Sequence, residues 1–596
     1  MENKVLNERN LPNWDLKEIY KSFEDFNKNL KTLEDKILNL KGKLANINQQ
    51  FFNLNNFIEI LNLYNDTFEL NRKLNAYIYC ILACDSTNEE ANKYQGKLLT
   101  LNSDLKTIQT QLEKTIYQNK EIIIPNLNEN QELKEYEYFI KKSIQNFEHK
   151  MELNQEELYN LISISSNSEW KSLYDLIISN IKINFNNEIL SISQLRNLYH
   201  HKDRIVREHA FNIEINELEK YQHIFAKILN SIKWDSIVIA KKRNFNSLLE
   251  ATLFHNRLDL ETFEIIINTT LENLNNIRKY FKVKAKLLNV DKLEWYDIFA
   301  PIKIEDNINT SEEYISYEKS KDLILNAFSN FSNNLVKLAK EAFNNNWIDA
   351  EPRVGKSDGG FCIYVMPFKS RILINYDNSI KSVFTLAHEL GHAYHNYLLS
   401  NNLSIYRSSP LILAETASLL TENILRNYIN ITNPSKDLKL LILDGFLLTV
   451  SQVVVDIMSR FLFEKKLVEI RKDRTLSAND LINLMLDSQQ EIYLDSINSF
   501  HKYMWIVKPH YYHSNFYNYP YLVGLLISLG LYKLYLDNNL NSKDYENILS
   551  NTSKEDPYDL LIKYNINIKE REFWEKSFEF INNEILEFQK LSDYKE

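Results

Sequence analysis

Apolar residues recur at three- and four-residue spacing through most of this chain, the period of helices that bury one face. The region from Asn13 to about Ile124 reads as helix, with helices predicted over 24–44, 57–84 and 89–118. Pro125 and the polar stretch to Gln131 interrupt the pattern. Near Ile181 to Phe185 the period shortens towards two, as in a short hairpin, and helix resumes at Ser191 to Ser193. A boundary there separates an N-terminal helical domain, 1–195, from a larger domain, 196–596. Helical periodicity then continues to Asn289. Within it, 203–210 reads as a charged helix face, with His200, His201 and His209 solvated. Segments 295–301 and 347–352 read as loops. The two clearest strand signals, 355–365 and 371–375, stand immediately before a helix centred on His388 to Leu398. The expected fold is therefore mainly α, with a small β-sheet beside that helix.

Composition supports this reading. With 44% hydrophobic residues and only 9 Gly and 10 Pro among 596 residues, the chain suits long helices around substantial cores. A net charge of −10, without a basic stripe or interleaved aromatics, argues against nucleic acid as a partner. Met1 to Glu8 contains no basic segment followed by an apolar one, so no secretory signal is read there. The longest apolar run, 520–532, is too short and too interrupted by Gly and Ser to span a bilayer. Cys80, Cys84 and Cys362 make no disulfide framework, and core packing is the expected role of the first two. These features point to a soluble cytoplasmic protein without a membrane partner; they do not choose between monomer and homodimer.

The chemistry concentrates in His388-Glu389-Leu390-Gly391-His392. On a helix, residues four apart share a face and lie about 6 Å apart along the axis. Two imidazoles so placed can converge on one Zn²⁺ at about 2.0–2.1 Å each. Glu389 can then reach an activated water and take its proton. The neighbouring positions Val383, Phe384, Leu386, Ala387, Leu390, Ala393 and Tyr394 leave little of this helix fit for solvent, so its buried polar groups need partners. Gly391 sits mid-helix, at a cost of about 1 kcal/mol relative to Ala, which predicts that something approaches closely there.

A third ligand is needed. His395 lies too far along the axis, about 10 Å from His388, and is expected to act behind the ligands or in the core. The better candidate is Glu415. Ser409-Pro410 reads as a helix start, and a helix folding back antiparallel from it would bring Glu415 level with His392. Glu422, seven residues further on the same face, would hold the second nitrogen of a ligand histidine. Gly359 and Gly360 would let an extended peptide approach the edge of the preceding strand. Near the C-terminal end, His510, Tyr517, Tyr519 and Tyr521 crowd beside two prolines, and such side chains can donate to the oxyanion of a tetrahedral intermediate.

Phe384 to His392, Ala414-Glu-Thr-Ala-Ser418 and the His510 to Tyr521 strip, in this order, resemble the oligoendopeptidase F branch of the thimet-oligopeptidase-like (M3) zinc peptidases. Weaker similarity at Trp14-Asp-Leu16, 79–90, 203–210, 226–230 and 347–356 extends it over most of the chain. The resemblance implies a multi-helix ellipsoid split by a deep substrate channel, cleavage of internal bonds in short peptides, and one Zn²⁺ per chain. Carried over by motif, it makes His388, His392 and Glu415 the ligands and Glu389 the general base. It assigns His510 and the tyrosines to substrate binding and the oxyanion, with Tyr521 taken for the oxyanion and Tyr517 and Tyr519 for substrate. One extra residue between His510 and the tyrosines leaves their individual roles open. A zinc carboxypeptidase on a similar frame, or a noncatalytic peptide-binding scaffold, are the alternatives.

Overall fold

The structure, a computed structural model, describes residues 11–47, 52–302 and 314–594, the side chains of Leu153 and Glu157 aside. Compactness groups the chain into two units, each assembled from three stretches. The first takes Met1–His149, Asn309–Asn433 and Asn538–Tyr564; the second takes Lys150–Ile308, Pro434–Asp537 and Asn565–Glu596. Neither unit corresponds to 1–195 or 196–596.

In the first unit, the helices Phe23–Ile47, Leu54–Cys84 and Glu89–Gln118 pack together. Phe26, Leu30, Leu33, Ile37, Leu40 and Leu44 alternate at four- and three-residue steps, which keeps one stripe of the first helix buried along its whole length. Asn53 and Asn88 cap the next two helices, each side chain accepting a backbone N–H three residues on. Pro125 lies inside a short helix, Lys120–Asn126, and the non-helical stretch 127–130 that follows is the interruption the pattern predicts.

Five strands occur among the described residues: β1 (Ile183–Phe185), β2 (Glu188–Leu190), β3 (Ile348–Asp349), β4 (Phe361–Met366) and β5 (Lys369–Leu373). β3 falls where the pattern reads as a loop. β5 is central in the first unit's sheet, parallel to β3 and antiparallel to β4, so β4 is an edge. The helix Ile380–Leu399 packs on β4 and β5 with one side, and on the helices Thr416–Ile431 and Ser542–Asn551 with others.

The second unit contains the β1–β2 hairpin, turned by Asn186 and Asn187 at φ 51° and 71°, where asparagine tolerates the left-handed region. Ser191 then caps the next helix through a reciprocal pair of bonds with Gln194. Arg207 is not part of a solvated face, and Arg204 is only partly exposed. Both turn inward onto the carboxylate of Asp297, which is fully buried, whereas His200, His201 and His209 are exposed. Two helical stretches, Lys436–Arg471 and Tyr519–Leu536, are long and apolar enough by composition to cross a membrane. Most of each apolar window is buried, 61% and 72%, as in a core helix. The second packs on Arg571–Leu591, where a Cβ at Gly530 would come within 2.8 Å of the Phe573 ring.

Candidate metal centre

Ser379 opens the Ile380–Leu399 helix by accepting from Ser382 N. Val383, Leu386, Ala387, Leu390, Ala393 and Tyr394 are buried around it. His388 and His392 share the remaining face, their ring centroids 4.8 Å apart and each side chain about a quarter exposed. The reason for Gly391 lies opposite. A Cβ there would stand 2.4 Å from Thr421 Oγ1 and 2.6 Å from Ala417 O and Ser418 Cα. Thr421 Oγ1 also donates to Ala387 O at 2.8 Å, tying the two helices together where they touch.

That contact brings Glu415 into place. The expected single helix from Ser409 is instead a turn, Leu411–Ala414, followed by Thr416–Ile431, with Glu415 at the break (φ −84°, ψ 0°). Its Oε2 accepts from Ser418 Oγ at 2.8 Å and lies 3.4 Å from Nε2 of both His388 and His392. Candidate ligand atoms of the three residues all lie within 4.8 Å of one another. A tetrahedral ion with donors at about 2.0–2.1 Å separates those donors by about 3.3 Å, so the spacing found suits one zinc-sized cation. Glu422 Oε1 lies 2.5 Å from His388 Nδ1, on the far side of that ring.

The electrostatics agree with a cation. Three carboxylates, Glu389, Glu415 and Glu422, surround two imidazoles. Burial disfavours a charged His388, but the Glu422 hydrogen bond and the three carboxylates outweigh it and lift its pKa to about 9. Burial alone would raise Glu415, yet the two histidines and Ser418 hold it at about 2. Glu389 moves the other way: burial, helped by Glu415 and Glu422, raises its carboxyl against the pull of both imidazoles. Its Oε2 is buried without a hydrogen-bond partner, an orphaned acceptor beside the cluster. Its Oε1 lies 3.1 Å from where a Cβ of Gly360 would be, so glycine leaves this carboxylate its space. Gly359, at φ +81°, makes the turn before it, and its carbonyl accepts from Asn375 Nδ2.

His395 is buried and its Nε2 meets Thr552 Oγ1 at 2.9 Å, Ser409 Oγ at 3.1 Å and Leu549 O at 3.2 Å. Burial pushes its pKa down to about 4, so it is neutral, and it packs against the loop leading to Glu415.

In the second unit, Pro509 precedes the short turn His510–His513. Burial first, then Arg460 and Lys508, keep His510 neutral with a pKa of about 4, and its Nδ1 is buried without a partner. The ring lies 4.8 Å from that of Tyr517, to whose hydroxyl Tyr521 donates at 3.0 Å. Tyr519 faces elsewhere: it is fully buried against Phe263 and its hydroxyl accepts from Asn256 Nδ2, a core position. Pro520 sits in the first turn of the Tyr519–Leu536 helix, where a missing N–H costs nothing. The buried pair Lys233–Glu464, 2.6 Å apart, holds this strip from behind. Lys233 Nζ donates to Ser514 O and Asn515 Oδ1, and Glu464 accepts from Phe516 N, where the chain turns through φ +48°. Sequence reasoning missed that pair; a lone Lys between apolar Ile232 and Trp234 was the available signal.

A mainly helical protein with two imidazoles and a carboxylate spaced to hold one metal ion has the donor set of a mononuclear metallohydrolase. The chain belongs to peptidase family M3, whose sequence pattern matches residues 197–580, and it is a metallopeptidase of the oligoendopeptidase F type. A second pattern, described as oligopeptidase F, matches 118–183. It is 24% identical to an oligoendopeptidase F homolog of Lactococcus lactis over 97% of both chains. It is 25% identical to oligopeptidase PepF of Bacillus subtilis over 97% of this chain and 87% of that one. In fold it is similar to oligoendopeptidase-F from Enterococcus faecium, with a TM-score of 0.70 and 19% identity over 96% of this chain and 99% of that one. A protein of Chlamydophila abortus gives a TM-score of 0.80, at 22% identity over 97% and 98%.

Proposed function

We propose that the protein is a zinc-dependent oligoendopeptidase that hydrolyses internal bonds of short peptides, with one Zn²⁺ per chain held by His388, His392 and Glu415. The observation that carries this reading is the position of Glu415 Oε2, 3.4 Å from Nε2 of both histidines, with the partnerless Glu389 carboxylate beside them. Zinc in that cluster would supply Lewis acidity to a water and to the scissile carbonyl.

The chain's own residues supply the rest. Glu422 holds His388 at Nδ1, which leaves Nε2 as the ligand atom. Glu389, its carboxyl raised by burial, accepts a proton from the attacking water at Oε2 and passes it to the leaving amine. The outer edge of β4 offers main-chain groups to an extended peptide, with Gly359 and Gly360 permitting its approach. By resemblance, His510 and a tyrosine of this strip stabilise the oxyanion; Tyr521 donates its hydroxyl proton to Tyr517, which keeps its own proton to donate. Internal cleavage is supported by relatives named oligoendopeptidase F. Three free thiols fit a reducing compartment such as the cytoplasm.

The test is Glu389→Gln, assayed on a quenched peptide blocked at both ends. We expect bound zinc to remain while turnover falls by about 10²–10⁴. Turnover near wild type would sink the assignment of the base, and cleavage confined to unblocked peptides would sink the internal mode.

A further inference from the structure

At the outer side of β4 lies a hollow of about 360 Å³. Its walls come from three elements: Arg72, Ala76 and Tyr79 of the Leu54–Cys84 helix, Leu98 and Leu99 of the Glu89–Gln118 helix, and Ile363 and Tyr364 of β4. Consecutive strand residues point to opposite faces, so a hollow lined by both Ile363 and Tyr364 lies along the strand's edge. No strand pairs with that edge among the described residues, because β5 takes the other. The lining is mostly apolar, with the amides of Asn75 and Gln95 as its neutral polar groups, and two of its side chains are left in water: Tyr79 is 47% exposed and Leu99 64%. Its one full charge is Arg72, held 4.4 Å over the Tyr364 ring and bonded to Ser404 O and Arg407 O.

The hollow is continuous with the metal centre along the chain. Gly360, at the start of β4, touches the space of the Glu389 carboxylate. Ile363 and Tyr364 come three and four residues later, about 10–13 Å along a strand that rises about 3.3 Å per residue. An extended peptide paired to this edge, with its reacting carbonyl near Glu389, would place a side chain in the hollow at the same spacing.

We propose that this hollow is a specificity subsite, resting on the peptidase reading above, which takes an apolar side chain about three residues from the cleaved bond and rejects Lys and Arg. Apolar walls desolvate the side chain, and the immobilised Arg72 guanidinium repels a cation that enters.

The full-length zinc-loaded protein would be assayed on a panel of end-blocked quenched peptides. Each varies one position among Leu, Phe, Lys and Asp, out to four residues on either side of the cut. The expected result is one position, about three residues from the cut, where Leu and Phe exceed Lys by about tenfold or more in kcat/KM. Leu99→Glu, at an exposed rim position, should narrow or invert that preference at this position alone, and Tyr79→Ala should relax the choice between Leu and Phe there. Unchanged profiles in both variants, with wild-type turnover intact and chelator-sensitive, would overturn the subsite and leave the peptidase reading standing. Absence of any chelator-sensitive cleavage would overturn both.

Discussion

Glycine at position 360 is set by its neighbours on the Ile380–Leu399 helix and β5. Its missing Cβ would lie 3.1 Å from both Glu389 Oε1 and Thr385 Cγ2 and 3.4 Å from the carbonyl of Leu373, which cannot yield. Gly360→Ala should therefore displace the Glu389 carboxylate and crowd the peptide backbone that Gly360 admits, lowering kcat by about tenfold or more and raising KM, with zinc content unchanged. Steady-state kinetics with metal analysis would check this; a KM effect alone would mean that Gly360 serves the peptide backbone and not the base. Glu422→Ala should act differently, weakening zinc affinity by about 10–100-fold, as loss of a carboxylate behind a ligand histidine does. Competition against a chromophoric chelator would measure it. At this scale the pairing of His388 with His392 was legible in sequence, because HExxH carries its own helical geometry. The partnerless Oε2 of Glu389 and the Gly360 contact were not, since both depend on a strand that approaches from outside the motif.

Between elements, the deciding contact is Gly391 against the Thr416–Ile431 helix. In an exposed helix Gly→Ala would gain about 1 kcal/mol. Here the added methyl would meet Thr421 Oγ1 at 2.4 Å and main-chain atoms of Ala417 and Ser418 at 2.6 Å. Overpacking of that kind costs about 1–3 kcal/mol, and main-chain atoms cannot rotate away, so the clash outweighs the propensity gain. Gly391→Ala should lower Tm and zinc affinity together by parting the helices that carry the ligands; a rise in Tm would refute the close approach. The mid-helix glycine announced this contact, and the strand pattern announced β4 and β5. The break at Glu415 was invisible, because Leu411 to Ile431 has the composition of one uninterrupted helix.

For the whole molecule, two dependences follow. Zinc that binds only the folded state should raise stability by about 2.7 kcal/mol at a free concentration 100 times its Kd, so chelation should lower the unfolding midpoint. Acid should act in the second unit as well as at Glu415. Glu214 is fully buried and bonded to Arg196 at 2.6 Å and to the Tyr199 hydroxyl. Burial would raise its carboxyl, but Arg196, His501 and Tyr199 prevail and hold it at about 2, below its ordinary 4.5. A depressed carboxylate stabilises the fold fully above its unfolded value, and that contribution is lost as pH falls from about 4.5 towards 2. Denaturant midpoints across that window should fall in the wild type. In Glu214→Gln the protein should be less stable at neutral pH and its midpoint should change less with acid.

Sequence alone determined what is local in this protein: helix periods, a short hairpin before Ser191, and a metal motif whose two histidines meet through 3.6-residue geometry. Its family resemblance followed from motifs in order. Tertiary structure alone decided which distant groups share a space. It put Glu415 at a helix break, paired Lys233 with Glu464 and Glu214 with Arg196 and His501, and left β4 with an open edge. Those contacts join residues tens to hundreds of positions apart, and no period or propensity along a single chain encodes which buried charge will meet which.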